Sequence, residues 1–211
     1  MKHITFYLDF ISPYAWLAFE KLPEALAGLS YRVSYRPVLL GALLRHHGQL
    51  GPAEIPGKRD WTYRHVLWLG HTLGVPLCLP SVHPFNPLPL LRLAVACSDE
   101  GEPNRHVCET VFRHVWDSGL DPVEPGRLAE LARTLAPRHD PSSERVKGQL
   151  RSHTENAVGR GVFGVPMFEV QGRLIWGLDA LPMLRAAMLD DNWFAGPDWD
   201  QATQVRSGIG Q

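Results

Sequence analysis

Three short stretches of the chain hold residue types that could manage a reactive anion. The first is Ser12-Pro13-Tyr14-Ala15, where an aromatic and β-branched run, Ile4 to Phe10, drops into a helical pattern. The N–H groups of a first helical turn lack intrahelical partners and carry partial positive charge, so an anion is stabilised there. Pro13 suits the first helical position and Ser12 the capping position before it. Ser12 then has two readings that local sequence leaves open: a helix cap alone, or a hydroxyl donor to an anion such as a thiolate. The second stretch is Gly164-Val165-Pro166-Met167, where a proline enters a strand after a glycine-rich approach, a good place for a cis peptide. An ordinary trans proline at an edge strand is the alternative. The third is Asp179, after Gly177-Leu178, whose carboxylate could cap a helix or accept hydrogen bonds from an ammonium group.

Other constellations fail on context. Gly159-Arg160-Gly161-Val162-Phe163-Gly164 matches the dinucleotide fingerprint, but that motif needs a strand before it and a helix after it. Here a helical pattern precedes, and Val165-Pro166 and a strand follow. No G-x-S-x-G elbow surrounds Ser12, which argues against a hydrolase nucleophile. The ten histidines form no H-E-x-x-H and no finger-like pairing with cysteine, so no metal site is expected.

The elements that must position these residues follow from periodicity. Residues 4–10 read as a strand, Tyr14 to about Leu26 as a helix stopped near Gly28, and Tyr31–Pro37 as a second strand. Residues 47–57 read as a loop. Helical patterns then occupy about 58–73, 87–100, 103–118, 124–136 and 142–158, with Pro or Gly at the breaks. Met167–Val170 and Arg173–Trp176 read as a hairpin with glycine in the turn. Asp179 to about Leu189 reads as a closing helix, and the chain from Asn192 as a tail without period. The order β-α-β, helices, β-β-α is that of an α/β, thioredoxin-like fold carrying an all-helical insertion. The expected division is residues 1–45 with 159–211 for the thioredoxin-like part, and 46–158 for the insertion. In such a fold a cis proline faces the N-terminus of the first helix. The residue before it, Val165, offers its backbone to an extended thiol-containing peptide by strand addition.

Composition sets outer limits. The chain has 211 residues, 45% hydrophobic and 20% charged, ordinary for a globular protein with a substantial core. A net charge of −1 gives no electrostatic reason to expect nucleic acid or anionic membrane as partner. No apolar run is long enough to span a bilayer, and the N-terminus enters a strand at once without a cleavage site. Three cysteines, Cys78, Cys97 and Cys108, with no C-x-x-C, read as reduced thiols and favour the cytoplasm.

Three motifs together carry a family resemblance: Phe6 to Tyr14, Gly161 to Phe168, and Trp176-Gly177-Leu178-Asp179. The chain resembles the 2-hydroxychromene-2-carboxylate isomerase and kappa-class glutathione transferase family, in the DsbA-like branch of thioredoxin folds. Lys58 and His83-Pro84-Phe85-Asn86-Pro87 extend the likeness almost end to end. The resemblance implies reduced glutathione as cofactor, a small aromatic substrate and a homodimer. It implies that Ser12 hydrogen-bonds the glutathione thiolate and that Val165, before Pro166, pairs with the cysteinyl backbone. Leu178 and Asp179 would take the γ-glutamyl end, and Lys58 the glycyl carboxylate or the substrate. Pro13, Tyr14 and Asn86 would line the substrate pocket. The implied reaction adds the thiolate reversibly to an electron-poor double bond, lets the C–C bond rotate, and expels the thiolate. That interconverts 2-hydroxychromene-2-carboxylate and trans-o-hydroxybenzylidenepyruvate in aromatic catabolism.

The chain departs from the family pattern at Ala180, where arginine is usual, at His65 and Trp68, where members carry Asp and Arg, and near Gly48-Gln49, where an asparagine is absent. A thiol–disulfide oxidoreductase would need Cys-x-x-Cys where this chain has Ser12-Pro13-Tyr14-Ala15, so disulfide exchange has no nucleophile. A kappa-like transferase or peroxidase on small electrophiles shares the same thiolate machinery. A non-catalytic glutathione-binding module is the third alternative.

Overall fold

The computed structural model describes residues 1–206 and 208. Strand β1 spans Lys2–Leu8, helix α1 Pro13–Ala25 and strand β2 Tyr31–Pro37. β3 (Met167–Val170) and β4 (Arg173–Trp176) complete a four-stranded sheet in the order β2-β1-β3-β4. β1 and β2 run parallel, whereas β3 is antiparallel to both β1 and β4. The hairpin turns through Gln171 and Gly172, both at positive φ (50° and 76°), the geometry a two-residue loop needs to follow strand twist.

β1 ends at Leu8 rather than Phe10, because the Asp9 carboxylate turns back to accept the Ile11 N–H at 3.2 Å and takes the chain out of the ladder. Helix α2 (Leu40–His46) lies in a stretch that periodicity leaves unassigned; seven residues are too few to display a 3.6-residue repeat. The stretch expected as a loop holds a short 3₁₀ turn at Pro52–Glu54. Helices α3 (Pro56–Leu73), α4 (Leu88–Ala96), α5 (Arg105–Trp116), α6 (Pro125–Leu135) and α7 (Glu144–Gly159) occupy the expected helical stretches. α8 (Leu181–Met188) closes the sheet side. The tail then forms a 3₁₀ turn at Asn192–Ala195, a short α9 (Pro197–Gln201) and a second 3₁₀ turn at Ala202–Gln204. The end of the tail lies outside the described residues. The glycine-rich run 159–164 leads from α7 into β3, not from strand to helix, so the dinucleotide reading has no structural support.

The core runs unbroken from the sheet into the helices. Phe6 of β1 meets Phe168 of β3 in a tilted pair, 4.6 Å between centroids. On the other side of α1, Phe112 of α5 meets Phe10, Trp16 and Phe19 at 4.9, 5.7 and 5.3 Å. α1 also carries Pro23, which has no N–H to offer the Phe19 carbonyl one turn earlier. Arg105 of α5 answers that carbonyl at 3.3 Å, its guanidinium 4.1 Å above the Phe19 ring.

Candidate active site at the β1–α1 junction

The junction Asp9-Phe10-Ile11-Ser12 is held by hydrogen bonds on nearly every main-chain group. The Phe10 carbonyl accepts the Trp116 indole N–H at 3.0 Å, and the Ile11 carbonyl accepts from His83 Nε2 at 2.9 Å. That contact fixes the proton of His83 on Nε2, leaving a bare Nδ1 that shares the Tyr63 hydroxyl, at 2.8 Å, with the His83 carbonyl at 2.9 Å. Burial also holds the His83 pKa below its ordinary value, which favours the neutral ring. The Ser12 N–H donates to the Asp9 carbonyl at 3.1 Å. The Asp9 carboxylate accepts from Ile11 N–H and Phe10 N–H. It also accepts from Leu40 N–H at 2.9 Å, the first residue of α2, which has no cap of its own. Asp9 is fully buried, and burial pushes its pKa up to about 7 against the three N–H donors.

Ser12 is the N-cap of α1, with backbone in the extended region and Pro13 in the first turn. Its Oγ accepts the Ala15 N–H at 3.2 Å. Because that contact uses a lone pair, the hydroxyl keeps its proton for another acceptor. Tyr14, half-buried two residues on, places its hydroxyl 3.1 Å from His65 Nδ1 on α3. The His65 ring lies between the indoles of Trp61 and Trp68, 6.0 and 6.2 Å away and within 14° of parallel to each.

Sheet register brings the other stretches to the same end. Tyr7 opposes Met167, which in turn opposes Trp176. The end of β1, Pro166 before β3, and Gly177 after β4 are therefore neighbours, and the Gly177 N–H donates to the Pro166 carbonyl at 3.0 Å. The Val165-Pro166 peptide is cis, as expected, and among the described residues no hydrogen bond engages the Val165 N–H or carbonyl. Gly177 sits at φ +107°, where an added Cβ would lie 2.4 Å from Asp179 Oδ1. Asp179 is not a helix cap: Ala180 holds the capping position of α8, with no side-chain cap bond. The aspartate instead folds over Gly177, and burial, joined by the Asp179 charge, raises the Tyr14 pKa.

The structure thus brings together Ser12, Pro13, Tyr14, Val165, Pro166, Leu178 and Asp179 at one end of the sheet. Lys58 is exposed in the first turn of α3, two turns before His65 on the helix that reaches Tyr14. Asn86 is exposed, and its Oδ1 accepts the Leu88 N–H at the start of α4, a local turn role. Asp9, His83 and Trp116 were not singled out by residue type. Asp9 leaves a signal, an acid inside an otherwise apolar run, whereas the other two reach the junction from more than 70 positions away. Two of the cysteines are ill suited to redox work, since burial holds Cys97 up at about 11 and pushes Cys108 higher still.

Comparison with known proteins agrees with this architecture. A DSBA-like thioredoxin domain model matches residues 3–189. The chain is similar to 2-hydroxychromene-2-carboxylate isomerase of Sphingobium xenophagum, 29% identical over 196 residues that cover 90% of this chain and 99% of that protein. It is similar to glutathione S-transferase kappa 1 of Rattus norvegicus, at 26% identity over 92% of this chain and 93% of that one. In structure it matches a 2-hydroxychromene-2-carboxylate isomerase with a TM-score of 0.77, at 23% identity, covering 97% of this chain and 100% of the other. With a thioredoxin-type sheet, a capped α1 and a cis proline at the same end of it, the chain belongs to the DSBA-like thioredoxin domain family.

Proposed function

We propose that this chain is a glutathione-dependent isomerase that interconverts 2-hydroxychromene-2-carboxylate and trans-o-hydroxybenzylidenepyruvate. The observation that carries the reading is the Ser12 hydroxyl: buried at the N-terminus of α1, accepting from Ala15 and free to donate its own proton. A free thiol is only a few per cent thiolate at neutral pH. A helix N-terminus plus one hydroxyl donor lowers a thiol pKa by roughly one to two units, or about 1.4–2.8 kcal/mol. The thiolate adds to the conjugated double bond, the former double bond rotates as a single bond, and elimination returns the thiolate with no net redox change. Val165 supplies a free main-chain edge for the cysteinyl segment, and the Leu178 N–H with the Asp179 carboxylate receives the γ-glutamyl end. Lys58 meets the glycyl carboxylate or the substrate. We assign the protein to the cytoplasm from its reduced, unpaired cysteines, and to a homodimer from the family resemblance. The kappa-class relative supports a second reading, glutathione transfer to small electrophiles, which uses the same thiolate.

Calorimetric titration with reduced glutathione, with the ultraviolet thiolate band followed in parallel, tests the cofactor. Binding with a thiolate signal near neutral pH, followed by turnover of the chromene carboxylate, supports isomerisation. Binding with turnover only of generic electrophiles supports transfer. Absence of binding rejects both.

A further inference from the structure

We propose that the Tyr14 hydroxyl, aimed by His65, is the proton donor to the substrate's carbonyl oxygen as the thiolate adds. The proposal rests on the glutathione reading above. Thiolate addition to a double bond conjugated with a carbonyl moves the π pair onto that oxygen, so an enolate develops and a nearby donor lowers the barrier. Ser12 cannot serve both ends, since its proton goes to sulfur. Tyr14 is the next hydroxyl along the same helical turn, half-buried, with its oxygen held 3.1 Å from His65 Nδ1.

Whether His65 Nδ1 carries a hydrogen decides where the Tyr14 proton points. A phenol has one proton to give. When Nδ1 is bare, Tyr14 donates to it and that proton is spent. When Nδ1 carries a hydrogen, it donates to the Tyr14 oxygen and frees the phenolic proton for the site. Trp61 and Trp68, on the same helix, lie near-parallel to the imidazole with centroids 6.0 and 6.2 Å away. Tyr14 is its partner from α1, and the Asp179 charge, acting on Tyr14 from the β4–α8 loop, opposes a tyrosinate. The step balances. The C–S bond forms, the C=C pair becomes the enolate, and the Tyr14 proton moves to the enolate oxygen while the His65 Nδ1–H hydrogen-bonds the phenolate left behind. Collapse of the enol runs the same transfers backwards, so an isomerisation consumes no proton.

The test compares wild type with Tyr14→Phe, His65→Gln and His65→Leu, each titrated with glutathione and assayed on trans-o-hydroxybenzylidenepyruvate. Tyr14→Phe is expected to keep the glutathione affinity and thiolate band within about twofold while kcat falls by about 10²-fold or more. His65→Gln should retain more activity than His65→Leu, because its amide can still hold the phenol oxygen. An unchanged kcat in Tyr14→Phe, or a His65→Leu variant as active as His65→Gln, overturns the proposal while leaving the glutathione site standing. Failure of the wild type itself to bind glutathione overturns the proposal and the function reading together.

Discussion

Replacing Asp9 by asparagine should change the shape, not only the height, of the stability–pH curve. The carboxyl is fully buried, and its pKa rises from 3.8 to about 7. Between those values the unfolded chain has released a proton that the folded chain retains, so stability falls as pH rises and levels off above about 7. A shift of about three units corresponds to about 4 kcal/mol across that window. His153 acts in the opposite sense. Burial first, then the nearby Arg36, holds it down at about 4 from 6.5, and its Nδ1 has no partner among the described residues. There the unfolded chain takes up a proton that the folded chain refuses, so stability falls as pH drops from about 6.5 to about 4, by about 3 kcal/mol. The two slopes oppose each other between about pH 4 and 6.5. Asp9→Asn removes one of them and should expose a rise of about 3 kcal/mol over that interval. Asparagine keeps one acceptor oxygen but sets its NH₂ against the remaining N–H groups, which adds an offset of about 1–3 kcal/mol that does not vary with pH. Urea unfolding at half-unit steps from pH 4 to 8, with m-values monitored, separates slope from offset. Parallel curves for wild type and Asp9→Asn would refute the assignment of a raised Asp9.

Other consequences can be checked one by one. Ser12→Ala should weaken the glutathione thiolate band and lower turnover by about 10²-fold, read by ultraviolet titration and steady-state kinetics; wild-type activity would remove Ser12 from the mechanism. Gly177→Ala forces a Cβ into the space of Asp179 Oδ1 at positive φ, so glutathione affinity should fall while the circular dichroism spectrum is kept. Trp116→Phe keeps one aromatic ring but loses the buried pyrrole and strips the Phe10 carbonyl of its donor, and should cost at least about 1–3 kcal/mol in denaturant unfolding.

Much of the site was legible because its signals are local. Ser12-Pro13 caps a helix by residue type alone, and a proline entering a strand marks the Val165-Pro166 peptide. Strand alternation and helix spacing gave the element order, since both depend only on which faces are buried. Three things lay beyond that reach. α2 is too short for a period and has no cap of its own; an acid some thirty residues earlier, Asp9, supplies it across the junction. Asp179 looked like a cap because local chemistry allows it, yet Ala180 takes that position and the carboxylate folds over Gly177 instead. The hydrogen bonds from His83 and Trp116 to the junction, and from Tyr14 to His65, join segments far apart in sequence. The sequence by itself determined the order of elements and the identity of the capping hydroxyl. Which buried donors and acceptors meet was decided only in the tertiary structure, because a polar group leaving water takes whatever partner the packing brings within reach.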